Sequence, residues 1–253
     1  SFFLIMLIIY FAVFLYQAVG VMHEYVAIAC SLLAQCYHAG NNITQAILYE
    51  QRALCLYERL KGFDCYQVIH SHNFLATLHM KEKNGEKKAA KHMVRHLYLQ
   101  RMACGQYHSD MNNSLIKLGS IYQSVGRLDQ AAKTYSYALV KSLPNTIDAA
   151  TCYHLLAKAY HLSKRHKEAL AHVREAYKIY KNILTAKNHH TQQCAIQMKH
   201  FTMLCVQEQQ LIARKREGQQ QFQMATREKT DVLKKQSSKK KKKKKKTKTK
   251  AKK

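Results

Sequence analysis

The 253-residue sequence has one proline, Pro144, and only eight glycines. Collagen, proline-rich linkers and most all-β designs need many more turn residues, so helices are favoured. No two of the eight cysteines form a Cys-x-x-Cys, which argues against a zinc ribbon or a redox motif. In a chain of this length, scattered cysteines read as small buried hydrophobes, and a reducing compartment is expected. Acids are scarce: 15 Asp+Glu stand against 42 Lys+Arg, a net charge of +27. Residues 1–22 hold no Asp, Glu, Lys, Arg or His, and the run from Phe2 to Val19 is long enough for a membrane helix. It lacks the basic segment that precedes the apolar run of a secretory signal. Residues 1–10 therefore keep two readings: a membrane segment, or the atypical start of a truncated or mis-spliced helix.

The charge is uneven. Residues 234–253 carry 14 lysines and no acid, which leaves +13 for the rest. Like charges this dense repel and bury nothing, so this tail is expected to be disordered and to bind polyanions, with Lys239, Lys240 and Lys241 among its contacts. It also has the composition of a nuclear localisation signal. Residues 206–233, charged and glutamine-rich, read as a terminal helix that caps what precedes it.

What is present is a ruler. Gly20, Gly40, Gly62, Gly85, Gly105 and Gly126 are separated by 20, 22, 23, 20 and 21 residues. Glycine ends helices cheaply in the left-handed conformation, so this spacing suits short-linked helices, two of which make a unit of about 42 residues. The units align on small residues. Ala34, Ala46 and Ala53 recur as Gly119, Ala131 and Ala138, then as Ala157, Ala169 and Ala176, always with spacings of 12 and 7. Unit two is degenerate, because Ala89 lies 13 after Ala76; a one-residue insertion in the turn between residues 81 and 86 accounts for it. A helical hairpin packs closely only where small residues let its backbones cross. This pattern resembles the tetratricopeptide repeat, with helices lengthened as in kinesin-light-chain-type repeats. The expected fold is all-α, an α-solenoid of about four hairpins over residues 11–205.

The junctions narrow the resemblance. Val19-Gly20-Val21-Met22-His23-Glu24-Tyr25-Val26-Ala27 looks like a degenerate Gly-x-x-His-Pro-x-x-Ala junction, as do Glu58-Arg59-Leu60-Lys61-Gly62-Phe63-Asp64 and Gly105-Gln106-Tyr107-His108-Ser109-Asp110. With Thr151-Cys152-Tyr153-His154-Leu155-Leu156-Ala157 and Ala176-Tyr177-Lys178-Ile179-Tyr180, residues 11–218 resemble the C-terminal tetratricopeptide region of the clustered-mitochondria (Clueless) proteins. The resemblance implies a cytoplasmic, non-enzymatic scaffold. It further implies a role in mitochondrion distribution and association with mRNA and with translation initiation factor 3. It also makes Phe14 to Gly20 the end of a preceding repeat helix, which weighs against a membrane span. A kinesin-light-chain-like cargo adaptor is the alternative.

Candidate chemistry is thin. His92 and His96 share a helix face, but Met93 stands where a zinc protease needs its Glu, and no third ligand is evident. Cys152 and His154 suggest a thiol nucleophile, yet no orienting acid accompanies them. No cofactor and no metal are expected. In such arrays the functional surface is the concave groove lined by the first helix of each hairpin. The groove candidates for a protein or peptide partner are Gln35, His38, His70, Asn73, Asn113, Gln123, His154, Lys158 and His161. Candidates for RNA or another polyanion are Lys87, Lys88, Lys91 and Arg95 in unit two and Arg214, Lys215 and Arg216 near the end. Neither basic cluster has interleaved aromatics, so contact with phosphate is expected to be backbone electrostatics.

Overall fold

A computed structural model describes the backbone of residues 2–105 and 110–250, and the side chains of residues 6–11, 13–105, 110–220 and 223. The described residues are helical throughout, with short turns between helices. The chain divides into two compact units, Ser1–Phe201 and Thr202–Lys253.

In the first unit, α1 (Phe2–Val19) precedes four hairpins. These are α2 (Glu24–Ala39) with α3 (Ile43–Lys61), α4 (Tyr66–Lys81) with α5 (Glu86–Cys104), α6 (Asp110–Ser124) with α7 (Leu128–Lys141), and α8 (Ile147–Leu162) with α9 (His166–Leu184). Each hairpin packs on the next, α3 on α4, α5 on α6 and α7 on α8. The final helix, α10 (His189–Lys250), begins in this unit and continues through the second. Among the described residues no helix is long and apolar enough to cross a membrane. The start is one continuous helix from Phe2, and Leu15 of α1 is buried with Val26 and Ala29 of α2.

The steric reading of the pattern holds residue by residue. Ala34, Ala46, Ala53, Ala76, Ala89, Ala131, Ala138, Ala157, Ala169 and Ala176 are all 0% exposed. The turn between α4 and α5 spans four residues, 82–85, where the other within-hairpin turns span three. The extra residue of unit two therefore sits in its turn.

The turns correct one detail of the ruler. Gly62 and Gly105 do end their helices at φ +84° and +79°. Gly40 and Gly85 have ordinary negative φ, and the left-handed residues beside them are Asn41 and Asn84. Asparagine tolerates that conformation, because its short polar side chain bonds locally. Gly85 is small for a different reason: a Cβ there would lie 2.1 Å from the His79 carbonyl oxygen. At the place that Gly62 and Gly105 hold after α3 and α5, Thr185 follows α9 with φ 72° and ψ 163°. A β-branched residue is strained in that region.

In the second unit, α10 continues to Lys250, whereas the sequence predicts a cap ending near residue 233 and disorder beyond it. Lysine and glutamine are good helix formers and nothing after Gly218 breaks the helix, while unscreened like charges one turn apart oppose it.

Candidate functional site

The first helices of the four hairpins, α2, α4, α6 and α8, carry the groove candidates. Acids on these helices are confined to the first turns, at Glu24, Asp110 and Asp148. Beyond those turns the exposed polar groups are amides, imidazoles, hydroxyls and lysines. Neighbouring first helices are joined through these side chains. His38 of α2 accepts from Lys81 of α4 (Nε2 to Nζ 2.8 Å) and lies edge-on to Phe74. Asn73 of α4 accepts from Lys117 of α6 (3.3 Å to Oδ1). Gln35, His70 and Asn113 are exposed in the same row, and Lys158 is half-buried.

Three candidates differ from an open groove position. The Gln123 amide oxygen accepts from the Tyr135 hydroxyl of α7 at 3.4 Å, inside its own hairpin. His154 is 5% exposed and meets the Cys194 thiol of α10 at 3.3 Å. Burial, reinforced by the charges of Lys158 and His190, holds His154 down at about pKa 4. His161 packs on Phe201 (4.8 Å between rings), with His166 and His200 beside it. Its pKa is lowered by partial burial and then by those two histidines.

The thiol reading also changes. His154 meets Cys194 rather than Cys152, and burial pushes both thiols up to about 11, so they stay protonated near neutral pH. His92 and His96 do not converge either. His96 is buried; its Nδ1–H donates to the Ile69 carbonyl of α4 and its Nε2 accepts from the Ser114 hydroxyl of α6, both at 2.9 Å. It occupies, seven residues after Ala89, the place that Ala53, Ala138 and Ala176 fill elsewhere. His92 instead faces His72 (Nδ1 to Nδ1 3.1 Å) and stacks on His79, which bonds Glu82 at 2.7 Å. Burial, followed by neighbouring positive charge, depresses His72 and His92 to about 4. Among the described residues no three His, Cys, Asp or Glu side chains are grouped to hold a metal ion.

Of the polyanion candidates, Lys87, Lys88, Lys91 and Arg95 project from α5, with Lys88 3.5 Å from the Glu82 carboxylate. Arg214, Lys215 and Arg216 are exposed on α10 in the second unit. The side chains of Lys239, Lys240 and Lys241 lie outside the described residues, as do residues 106–109 of the third junction. Contrary to the expectation from the sequence, the α5 cations have aromatic neighbours, one of which stands three residues after Arg95 on the same helix. Tyr98 lies one turn beyond Arg95, whose guanidinium sits over its ring at 5.7 Å, and Tyr122 arrives from the next hairpin.

Comparison with known proteins agrees with this geometry. A Tetratricopeptide repeat family model matches residues 110–182. The clustered mitochondria protein homolog of Danio rerio is 26% identical over 192 residues, covering 74% of this chain and 14% of that protein. The Homo sapiens homolog is 25% identical over 191 residues, with the same coverages. The chain thus spans about one seventh of the length of these relatives. Among solved structures, a kinesin-light-chain protein of Podosopora anserina with nearly identical TPR-like repeats superposes with TM-score 0.62 at 16% identity, covering 74% of this chain and 90% of that one. BtubC from P. vanneervenii gives TM-score 0.56 at 19% identity, covering 65% and 66%. The chain is therefore an α-solenoid of tetratricopeptide-like hairpins, similar over 74% of its length to the clustered mitochondria proteins.

Proposed function

We propose that the chain is a non-enzymatic protein-interaction scaffold of the clustered-mitochondria type, acting in the cytoplasm, with a peptide partner held along the first helices. The observation that carries the reading is the row linked from His38 through Lys81, and from Asn73 through Lys117, free of carboxylates past the first turns. Such a row offers amide and ammonium donors to a partner's carbonyl and carboxylate oxygens. The raised thiols and depressed imidazoles are consistent with packing roles.

A photo-reactive amino acid at Gln35 or Asn113, compared with one at the exposed Lys133 or Lys167 of the second helices, tests this in cells. The expected result is one partner crosslinked from both row positions and from neither control. Crosslinks of equal strength from all four positions would refute the row as the binding face.

Similarity to clustered mitochondria proteins supports the finer expectation, a part in mitochondrion distribution with association to mRNA and the translation machinery. Ultraviolet crosslinking of RNA to the full chain and to a chain lacking residues 234–253 tests the RNA part. No RNA from either refutes it, whereas RNA from the full chain alone, without sequence preference, assigns it to tail charge. The kinesin-light-chain-like fold favours cargo adaptation as the second reading; a crosslinked partner that is a transported protein rather than a mitochondrial or ribosomal one would select it.

A further inference from the structure

A cleft of about 590 Å³ opens between α5 and the end of α6, outside the row of groove candidates. Its wall is apolar: Ala90 and Val94 from α5 face Tyr122 and Val125 from the next hairpin. Its rim is cationic, with Lys87, Lys91 and Arg95 on one side and Arg127 on the other. No acid lines it, and among the described residues none of these four cations is in an ion pair. Val94 is 46% exposed although it points into a concave surface.

The arrangement discriminates between ligands. A nucleobase needs a bare aromatic face. Of the two rings in the lining, Tyr98 has the Arg95 guanidinium over one face, and Tyr122 is packed against the core clusters that join unit two to three and unit three to four. The rest of the wall is the aliphatic side chains of Ala90, Val94 and Val125, which cannot read a base edge by hydrogen bonds. A large apolar side chain fits the wall, and carboxylates flanking it fit the rim. Four unpaired cations around an acid-free opening supply the charge complementarity and speed the encounter.

We propose that this cleft docks an acidic protein segment through one large apolar side chain. The inference is independent of the row on the first helices, because none of its residues lies among the groove candidates.

The test uses the full chain and fluorescein-labelled peptides of about ten residues, alternating Asp and Glu around a central Leu or Phe. Each is paired with a charge-matched twin bearing Ser at the centre. Fluorescence anisotropy is read near physiological salt. The lysine tail attracts both twins equally, so the ratio of their affinities reports the apolar anchor alone. The anchored peptide is expected to bind about tenfold or more tightly than its twin. Val94→Asp should abolish that ratio, while Lys91→Glu with Arg95→Glu should weaken both peptides. Val94 is half-exposed, so its substitution does not disturb the core, and a thermal melt checks that the variant is folded. Equal binding of the twins across the Leu and Phe pairs, or a ratio that survives Val94→Asp in a folded variant, overturns the proposal. So does a uridine decamer that displaces the peptide and itself loses affinity in Val94→Asp, since the cleft would then be a nucleic-acid site.

Discussion

The reciprocity between Gly119 and Tyr135 makes the sharpest prediction. Tyr135 of α7 is 0% exposed, and a Cβ built on Gly119 would lie 2.4, 2.7 and 2.8 Å from three atoms of its ring. The other units carry Ala34, Ala76 and Ala157 at the place of Gly119. At the place of Tyr135, four residues after the first alanine of the second helix, they carry Glu50, Met93 and Val173, each at most 1% exposed. Only the unit with the flat, rigid ring has the glycine. Gly119→Ala gains about 1 kcal/mol of helix propensity. Overpacking a buried ring costs about 3 kcal/mol, the upper end for cores that cannot relax. The net loss is about 2 kcal/mol, or roughly 4–8 °C in Tm for a chain of this size. Urea and thermal unfolding followed by circular dichroism measure it. Tyr135→Val, the unit-four solution, should make the alanine tolerable, so the double-mutant cycle should give a coupling of about 3 kcal/mol. A Gly119→Ala chain as stable as the wild type or more so, or additivity in the cycle, would refute the steric account.

Three further outcomes follow from buried or strained groups and a fourth from the lysine tail. Glu50 is fully buried; burial raises its pKa, the Ser71 and Ser31 hydroxyls act in the opposite sense, and neither carboxylate oxygen has an ordinary hydrogen bond. Its contribution is fully present below the unfolded glutamate pKa and is lost as pH rises, so Glu50→Gln should stabilise by about 1–2 kcal/mol at pH 7 and by little near pH 4, read as urea midpoints. Thr185→Gly should raise the melting temperature by a few degrees, since relief of about 2 kcal/mol of backbone strain exceeds the roughly 1 kcal/mol entropic cost of glycine. His72, His92 and His154 sit near pKa 4 when folded, below the usual histidine value, so stability is full above about pH 6.5 and falls toward pH 4. His154→Gln should remove about 3 kcal/mol of that acid loss, seen as a flatter dependence of urea midpoint on pH. Deleting residues 234–253 should cost little helical signal in low salt and more in about 1 M salt, where repulsion between lysines is screened, as circular dichroism reads directly.

The hairpins were legible because packing constraints within and between adjacent helices leave a sequence period. Ala34, Ala46 and Ala53 must be small wherever backbones cross, and the spacing of 12 and 7 records that. The glycine ruler worked for a related reason, although its marks mix two kinds of turn and Asn41 and Asn84 take the left-handed role beside Gly40 and Gly85. Unit two reads as degenerate because Ala89 lies 13 after Ala76, and the structure adds a second departure, His96 at the place of the third alanine, where two hydrogen bonds make the larger residue fit. Side chains that meet across hairpins left no such period. Nothing in the order of residues sets His154 against Cys194, or Tyr122 beside Val94. Those partners are fixed by how far one helix slides along another, which depends on all the side chains between them.

Repeat arrays are often treated as interchangeable parts, each hairpin able to follow any other. His96 makes unit two an exception. One of its hydrogen bonds stays within its own hairpin, at Ile69, and the other reaches the next, at Ser114. At the place of Ser114 the first and fourth units carry Ala29 and Cys152. Set before the first unit, His96 would lose its second partner outright, and before the fourth it would meet only a weak thiol. The hairpins of this chain therefore have an order as well as a number, keyed by a single imidazole at the boundary of the unit that looks least regular.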